Sequence, residues 1–219
     1  MFQLKAIPRF NSFLSKTNLM SELNKKNSEV EDDRLIILMG GMGSGKTTEL
    51  QRQIGIRKLY RSVLAVNTVE DIRFSSEGIV THDGRQSDCV RVSLLHDLIE
   101  LKDYVDAQVI VIDEANFYDD LYDFISDQLL NTNKVFIVAG LSGDKDQKFF
   151  GQLHLLIPLA DQIHHLRSIC MTCKNGTLAS FTIMVPGAVS SGEQKQVGGK
   201  DIYQAVCRRH LHDHLSDSS

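Results

Sequence analysis

The stretch GGMGSGKT at positions 40–47 has the residue types and spacing of a polyphosphate-binding loop. It follows an apolar run and precedes a stretch of helical character, so it would connect a strand to a helix. Glycines let successive backbone N–H groups point at one anion, and a helix N-terminus adds positive potential. The lysine would reach the β and γ phosphates, and the threonine hydroxyl would face Mg²⁺. The candidate nucleotide-binding residues are Gly40, Gly41, Met42, Gly43, Ser44, Gly45, Lys46 and Thr47.

A second candidate group follows the apolar run VIVI, where the sequence continues DEANFYDD. Its first two residues, Asp113 and Glu114, would lie at the carboxyl end of a strand. One carboxylate can hold a metal ion, directly or through water, while the other orients or deprotonates a nucleophile. We assign Asp113 to the metal and Glu114 to the proton-accepting role. The alternative for Glu114 is a supporting hydrogen bond or a helix cap.

Two short motifs near the C-terminus supply candidate metal ligands. CMTC carries two cysteines separated by two residues, and CRRH carries a cysteine and a histidine with the same separation. Three thiolates and one imidazole match a closed tetrahedral zinc site, which can contribute about 10 kcal/mol to ordering its surroundings. The predicted ligands are Cys170, Cys173, Cys207 and His210, with His212 or His214 as alternatives to His210.

Strand-like and helix-like segments alternate from Leu35 onward. LIILMG, SVLAVN, QVIVIDE and KVFIVAGL are short, apolar and rich in β-branched residues, as in strands buried on both faces of a parallel sheet. TTELQRQIGIRKLY and DDLYDFISDQLL have helical character. This order predicts an α/β fold, a P-loop NTPase-like parallel sheet flanked by helices, with a small zinc-binding domain after it. The residues that end LIILMGG and VIVIDEANF would face one crevice.

Length and composition restrict the class of protein. The chain has 219 residues, 42% of them hydrophobic, which is enough for a sizeable core. A net charge of -4 gives no overall field that would attract nucleic acid or an anionic membrane. Four cysteines form no dense disulfide framework, so we expect a reducing compartment. The composition therefore favours a cytoplasmic protein without nucleic-acid or membrane partners.

The first 33 residues differ in composition from the rest. The opening segment MFQLKAIPRFNSFLSKTNLMS has no acidic residue, and it places Phe10, Phe13 and Leu14 at helical spacing. These features are also found in organelle transit peptides, although the low arginine content and Pro8 argue against that interpretation. We expect residues 1–33 to form a flexible extension.

Taken in order, the motifs resemble those of the type II thymidine kinases of animals, bacteria and large DNA viruses. The family loop G-P-M-F-S-G-K-[ST] corresponds to GGMGSGKT, and its DTR and THD segments correspond to EDIRFSSEGIVTHDG. The family's DEGQFF corresponds to DEANFYDD, and its LDGTFQRKPFG to LSGDKDQKFFGQLHLLIPLAD. A two-knuckle zinc lasso closes the family's chain, and here it corresponds to CMTC through QVGGKDIYQAVCRRH. The resemblance spans about residues 34–214.

The resemblance implies ATP-dependent phosphorylation of the 5′-hydroxyl of thymidine, and of deoxyuridine as a further substrate, with Mg²⁺ and a structural Zn²⁺. It implies that Lys46 and Thr47 serve the triphosphate, that Asp113 belongs to the metal shell and that Glu114 is the general base. Asp71 and Arg73 correspond to the DTR segment and would support the phosphates and Mg²⁺. The residues that would surround the nucleoside are Met42, Phe117, Phe150, Val197, Gly198, Gly199 and Tyr203.

The resemblance also implies a domain organisation and an assembly. We expect a kinase domain at 34–166, a zinc-binding lasso domain at 167–214 and a tail at 215–219, after the extension at 1–33. In the lasso domain, residues 197–203 would close over the base. The family relationship implies a homotetramer.

The sequence departs from the family pattern at two places. Gly41 and Gly43 replace the family's proline and aromatic residue, which makes the loop more flexible and removes one wall of the nucleoside pocket. Further along, Lys145, Gln147 and Phe149 stand where the family has phenylalanine, arginine and proline. These changes bear on substrate range and catalytic efficiency.

Two other functions remain open at this point. A P-loop ATPase of another kind, such as a small helicase or motor, would need a coupling motif and a larger second domain, and neither is visible after Asp144. A nucleotide-binding zinc-ribbon module without kinase activity is the other alternative, and the missing aromatic residue at position 43 favours it.

Overall fold

The computed structural model describes residues 33–71, 79–80, 86–185 and 202–217. The predicted N-terminal extension, apart from Asp33, lies outside these ranges.

Twelve strands and four α-helices occur in the described ranges. The strands are β1 (Leu35–Gly40), β2 (Val63–Thr68), β3 (Ile79–Val80), β4 (Gln86–Ser87), β5 (Val90–Val92), β6 (Val109–Ile112), β7 (Val135–Leu141), β8 (Gln162–Leu166), β9 (Ser168–Ile169), β10 (Leu178–Ala179), β11 (Phe181–Met184) and β12 (Tyr203–Val206). The helices are α1 (Lys46–Arg57), α2 (Lys102–Asp106), α3 (Leu121–Asn131) and α4 (Arg208–Asp217). Three 3₁₀ helices span Leu95–Glu100, Ala115–Phe117 and Leu153–Leu159.

Six of the strands form a parallel sheet in the order β5-β2-β6-β7-β1-β8. Each neighbouring pair in this sheet is parallel. The carboxyl ends of β1, β2 and β6 therefore lie at one edge of the sheet. Residues that follow these three strands are brought to that edge, as the alternation of strands and helices predicts.

The sheet is buried on both faces because its central strands are apolar at successive positions. In β1, Leu35 and Ile37 face the core that contains α3, whereas Ile36 and Leu38 face the core that contains α1. Full burial of such a side chain contributes about 1.5–3 kcal/mol, so both layers of helices are held by the same strands. The predicted P-loop NTPase-like α/β fold is confirmed.

Two strands of the sheet were not among the predicted strands. β5 has only three residues, and β8 has the sequence QIHHL with His164 and His165 both exposed. Each lies at an edge of the sheet, where one side of the strand has no neighbouring strand among the described residues. An edge strand does not need apolar residues at successive positions, so the sequences of β5 and β8 do not show the apolar run that identifies a buried central strand.

Arg34 connects the start of β1 to two other elements. Its Nη1 donates to the carbonyl of Leu129 in α3 at 2.8 Å, and its Nη2 donates to the carbonyl of Thr132 just after that helix. Its backbone N–H and that of Leu35 donate to Asp161 Oδ2 at 2.7 and 2.8 Å. These bonds fix the amino end of β1 against α3 and against the segment that leads into β8.

The C-terminal region, defined here as residues 168–185 and 202–217, has its own small core. It contains two antiparallel pairs, β9 with β10 and β11 with β12; the first pair packs against β12, and α4 packs against β11 and β12. The core of this region consists of Cys170, Ala179, Ile183, Ala205, Val206 and Leu211. None of the helices in the described part of the chain has the length and apolar character that crossing a bilayer requires.

Candidate nucleotide and metal sites

The phosphate loop, residues 40–47, turns from β1 directly into α1. Gly45 precedes the helix with a φ of 87°, a left-handed conformation that glycine adopts without a Cβ clash. The buried Lys46 donates from its Nζ to the carbonyls of Gly40 and Gly41 at 3.1 and 3.0 Å. The lysine ammonium is thus held beside the loop and the N-terminus of α1, where an anion is favoured.

Thr47 and Asp113 join the phosphate loop to the end of β6. The Thr47 hydroxyl donates to Asp113 Oδ2 at 2.9 Å, and the N–H of Glu114 donates to Asp113 Oδ1 at 2.9 Å. Burial and, to a lesser extent, the neighbouring Glu114 raise the pKa of Asp113 to about 7, although the hydrogen bonds from Thr47 and from the Glu114 backbone and the charge of Lys46 act to lower it. A hydroxyl and a carboxylate at this separation offer the hard oxygen ligands that suit Mg²⁺.

Glu114 has a strained backbone. Its φ of 52° and ψ of 38° lie in the left-handed region, which costs a non-glycine residue about 1–3 kcal/mol. The turn places Glu114 directly after the buried Asp113 and before the 3₁₀ helix that carries Phe117. Such strain is concentrated at functional sites, so the conformation is consistent with a catalytic position for this carboxylate.

Asp71 supplies a third carboxylate at the same edge of the sheet, just beyond β2. It is 5% exposed, and its Oδ2 accepts a hydrogen bond from Asn67 Nδ2 at 3.2 Å. Arg91 Nη1 donates to the carbonyls of Thr68 and Asp71 at 3.0 and 2.8 Å, which fixes the turn after β2. The other residue predicted from the DTR segment, Arg73, lies outside the described residues.

Phe117 and Phe150, two of the predicted nucleoside-pocket residues, contact each other. Their ring centroids are 5.4 Å apart at an interplanar angle of 72°, an edge-to-face arrangement. The fully buried Asn116 holds this corner, because its Oδ1 accepts the N–H of Leu141 at 3.0 Å. Gly151, with a φ of 61°, passes so close that an added Cβ would lie 2.2 Å from the Asn116 carbonyl oxygen.

Met42 contacts the C-terminal region, and Tyr203 belongs to that region. The N–H of Met42 donates to Thr182 Oγ1 at 3.0 Å, and Tyr203 pairs with Met184 across β11 and β12. Burial raises the pKa of Tyr203 and the nearby Lys145 lowers it, so the segment after β7 lies close to this tyrosine. The remaining predicted pocket residues, Val197, Gly198 and Gly199, lie outside the described ranges.

A cavity of about 490 Å³ opens beside the phosphate loop. Its walls come from the loop, from the segment after β7 and from the C-terminal region, and they include Gly41, Ser142, Asp144, Ser180, Thr182 and Arg208. The phosphate loop and the C-terminal region therefore border the same space.

Cys170, Cys173, Cys207 and His210 converge in the C-terminal region. Their ligand atoms all lie within 4.8 Å of one another. Each Sγ is 3.5 Å from His210 Nδ1, and the Sγ atoms of Cys173 and Cys207 are 3.8 Å apart. A tetrahedron with Zn–S bonds of about 2.3 Å and Zn–N bonds of about 2.0 Å has S···N edges of about 3.5 Å and S···S edges of about 3.8 Å. The cluster therefore fits a structural zinc ion, with His210 rather than His212 or His214 in the fourth position.

The surroundings of the cluster favour the thiolate form of Cys170 and Cys207, whereas burial raises the pKa of Cys173. Burial alone would raise the pKa of Cys170, but hydrogen bonds from the backbone of Cys173 and Cys207 and from His210 lower it to about 6. The backbone N–H of His210 lowers the pKa of Cys207 as well. Thiolates are the form in which cysteine binds metal, so the backbone hydrogen bonds to Cys170 and Cys207 favour metal binding at these two ligands.

Sequence reasoning missed two residues that the structure brings to the site, Asn116 and Thr182. Asn116 lies between two predicted site residues, Glu114 and Phe117, and this position in the sequence could have identified it as a residue of the site. Thr182 lies in the run SFTIMV and contacts Met42, which is 140 positions earlier. No local pattern could have indicated that contact.

Comparison with known proteins settles the relationship that the motifs suggest. The family model described as thymidine kinase matches residues 33–211. The chain belongs to the thymidine kinase family.

Relatives within this family come from plants, animals and poxviruses. The chain is 35% identical to a thymidine kinase of Oryza sativa subsp. japonica over 81% of this chain and 65% of that protein, so it spans slightly less than two thirds of that relative. It is 36% identical to the cytosolic thymidine kinase of Gallus gallus, over 78% of this chain and 74% of the relative. It is 37% identical to the thymidine kinase of Yaba monkey tumor virus (strain VR587), over 78% of this chain and 91% of the relative.

Proposed function

We propose that this chain transfers the γ-phosphoryl group of ATP to the 5′-hydroxyl of thymidine, giving thymidine monophosphate and ADP. The observation that carries the proposal is the hydrogen bond between Thr47 and Asp113, because it joins a phosphate loop to a strand end that continues into Glu114 and Phe117. Membership of the thymidine kinase family supports ATP as the donor and thymidine as the acceptor.

The phosphate loop binds the triphosphate in this proposal. Backbone N–H groups of residues 40–47 and the N-terminus of α1 receive the phosphate oxygens. Lys46, already held beside the loop by two carbonyls, contributes its ammonium to the β and γ phosphates. Thr47 and Asp113 would hold Mg²⁺, with Asp71 and Arg73 supporting that side of the site. When bound, Mg²⁺ neutralises charge on the β and γ phosphates.

Glu114 acts as the general base. Its carboxylate takes the proton of the 5′-hydroxyl as the new oxygen–phosphorus bond forms, and the bond from the γ phosphorus to the oxygen of the β phosphate breaks to release ADP. A positioned base contributes roughly 10² to 10⁴ in rate, and the rest of the acceleration comes from alignment and charge neutralisation.

The nucleoside lies against Met42, Phe117, Phe150 and Tyr203, and residues 197–199 close over its base. The edge-to-face pair Phe117–Phe150 supplies an apolar wall for the pyrimidine. Backbone groups of the lasso read the edge of the base, because a buried donor or acceptor left unpaired costs about 1–3 kcal/mol. Deoxyuridine lacks only the methyl group and is the expected second substrate.

Cys170, Cys173, Cys207 and His210 hold Zn²⁺ and thereby fix the C-terminal region. The ion supplies structure rather than chemistry, because all four ligand positions are filled by the protein.

The proposal is tested with purified full-length protein, Mg-ATP and a panel of thymidine, deoxyuridine and deoxycytidine. We expect thymidine to be phosphorylated most efficiently. Glu114→Gln should lower kcat by at least about 10², while the melting temperature and zinc content stay unchanged. Exposed Glu100→Gln is the matched control and should retain activity.

Two outcomes would contradict the proposal. ATP hydrolysis that DNA stimulates and nucleosides do not would identify a P-loop ATPase of another kind. Tight ATP binding without phosphorylation of any pyrimidine nucleoside would identify a nucleotide-binding module.

We also propose a cytoplasmic homotetramer that does not bind nucleic acid. The cytosolic relative from Gallus gallus supports the location, and the family relationship supports the assembly. Light scattering of the purified protein would test the tetramer, and a dimer or monomer at assay concentration would contradict it.

A further inference from the structure

The phosphate loop rests on strand β11 of the C-terminal region. The N–H of Met42 donates to Thr182 Oγ1 at 3.0 Å. Gly41 packs against the same strand, because an added Cβ would lie 3.2 Å from Thr182 Oγ1 and 3.7 Å from the carbonyl oxygen of Ser180. Gly43 lies near β9, since its added Cβ would be 3.5 Å from Ser168 Oγ. Three consecutive loop positions thus face the C-terminal region.

The Thr182 hydroxyl is held in a fixed position. Its side chain is buried, and its backbone pairs with Ala205 of β12. Ile183 and Val206, the residues that follow this pair on each strand, belong to the small core that also contains Cys170. Cys207, a member of the metal-ligand cluster, comes directly after β12. The Thr182 hydroxyl, which accepts the hydrogen bond from the loop, is therefore held by the same part of the structure that carries the cysteines.

Two of the three loop positions that face this region also differ from the family pattern. Gly41 and Gly43 replace a proline and an aromatic residue, so the backbone of the loop is intrinsically less restricted. The hydrogen bond that Met42, the residue between them, donates to Thr182 reduces the conformational freedom of the loop. A loop that is ordered before its ligand arrives binds with a smaller loss of conformational entropy.

We propose that Thr182 is a positioning residue for the phosphate loop, so that the C-terminal region supports ATP binding in addition to enclosing the nucleoside. The proposal rests on the proposed function in one respect, that the loop's ligand is ATP. Thr182 acts through the backbone of Met42 and takes no part in the transfer of the phosphoryl group.

The test compares three variants of the full-length, zinc-loaded protein. Thr182→Val keeps the shape of the side chain and removes the acceptor, whereas Thr182→Ser retains a hydroxyl. Ser216→Ala is the control, because Ser216 is an exposed residue of the same region whose hydroxyl donates to the carbonyl of His212. Titration calorimetry with Mg²⁺ and a non-hydrolysable ATP analogue gives the affinity, and steady-state kinetics give kcat and the KM for thymidine.

We expect Thr182→Val to weaken binding of the ATP analogue about tenfold, which corresponds to about 1.4 kcal/mol. Thr182→Ser and Ser216→Ala should stay within about twofold of the unmodified protein. An unchanged affinity in Thr182→Val, or a defect confined to the KM for thymidine, would overturn the proposal. The calorimetry measures binding and requires no phosphorylation. A protein that binds the ATP analogue but does not phosphorylate thymidine would therefore refute the proposed function without refuting the role of Thr182.

If Thr182→Val does not fold, a second measurement on the unmodified protein tests the proposal. In the unmodified protein, the Met42 amide should exchange its hydrogen at least on the order of a hundredfold more slowly than an unstructured amide, because the Thr182 hydroxyl accepts it. Exchange at the unstructured rate would show that the loop is not held, and the proposal would fail.

Discussion

At the scale of single residues, the chemistry depends on which side chains follow a strand. Asp113 and Glu114 were predictable because an apolar run ends immediately before them, and the end of a parallel strand points at the site. Their distinct environments were not predictable. No local pattern encodes the left-handed backbone of Glu114 or the hydrogen bond from Thr47 of α1 to Asp113.

Replacing Asp113 with asparagine should change how stability varies with pH. The folded protein raises the pKa of Asp113 from its ordinary 3.8 to about 7. Folding therefore favours the protonated carboxyl, and its contribution to stability is fully present below about pH 4 and lost as the pH rises through about 7. In Mg²⁺-free buffer, the melting temperature of Asp113→Asn relative to the unmodified protein should increase between about pH 4 and pH 8.

Thermal unfolding across this range checks the prediction, with the exposed Asp119→Asn as a control that should show little pH-dependent difference. A constant difference between Asp113→Asn and the unmodified protein at all pH values would contradict it. If Asp113 holds Mg²⁺ as proposed, the asparagine variant should phosphorylate thymidine more slowly above about pH 7, where the carboxyl group of the unmodified protein is ionised.

At the scale of elements, the buried strands were the most predictable part of the fold. LIILMG and KVFIVAGL were placed correctly because a central parallel strand needs apolar residues on both faces. The corner that joins β7 to the aromatic pair was not predictable. It depends on Asn116 fitting between the end of β7 and Gly151, residues from three separate segments.

Gly151→Ala should disrupt this corner. The added methyl group would lie 2.2 Å from the Asn116 carbonyl oxygen, and the φ of 61° is unfavourable for alanine. The segment must move, and Phe150 moves away from Phe117 with it. We expect a loss of at least about 3 kcal/mol in the free energy of unfolding, from the sum of steric overlap and backbone strain, and a KM for thymidine raised at least about tenfold.

Gly176→Ala is the matched control for that substitution. Its φ of 85° is also left-handed, but an added Cβ would meet no atom within 4 Å. It should therefore lose only about 1–2 kcal/mol through backbone strain and keep its KM for thymidine. Denaturant unfolding and steady-state kinetics would check both variants, and equal effects of the two would contradict the role of the corner.

At the scale of the whole molecule, the order of the motifs predicted the α/β fold and the metal cluster. The two cysteine motifs were recognisable from their spacing, but the choice of His210 over His212 or His214 required the geometry of α4. The contact between the phosphate loop and β11 lay beyond prediction, because it joins residues that are far apart in the chain. The division into kinase and lasso domains and the roles of residues 197–199 stay predictions.

Loss of one ligand should remove the metal and loosen the C-terminal region. We expect one zinc ion per chain in the unmodified protein, and a large loss of zinc with a lower melting temperature in Cys173→Ser, because structural zinc supplies folding free energy. Cys89→Ser should keep its zinc, since Cys89 lies outside the cluster. Elemental analysis together with thermal unfolding checks this prediction, and a full complement of zinc in Cys173→Ser would contradict it.

The hydrogen bonds of Arg34 define where a shortened version of this protein can safely start. A chain trimmed to begin at Asp33 keeps the guanidinium that holds the carbonyls of Leu129 and Thr132. A chain trimmed to begin at Leu35 loses that side chain and leaves the carboxyl end of α3 without its partner. The cut for crystallisation or engineering therefore belongs before Arg34, where the family match also begins.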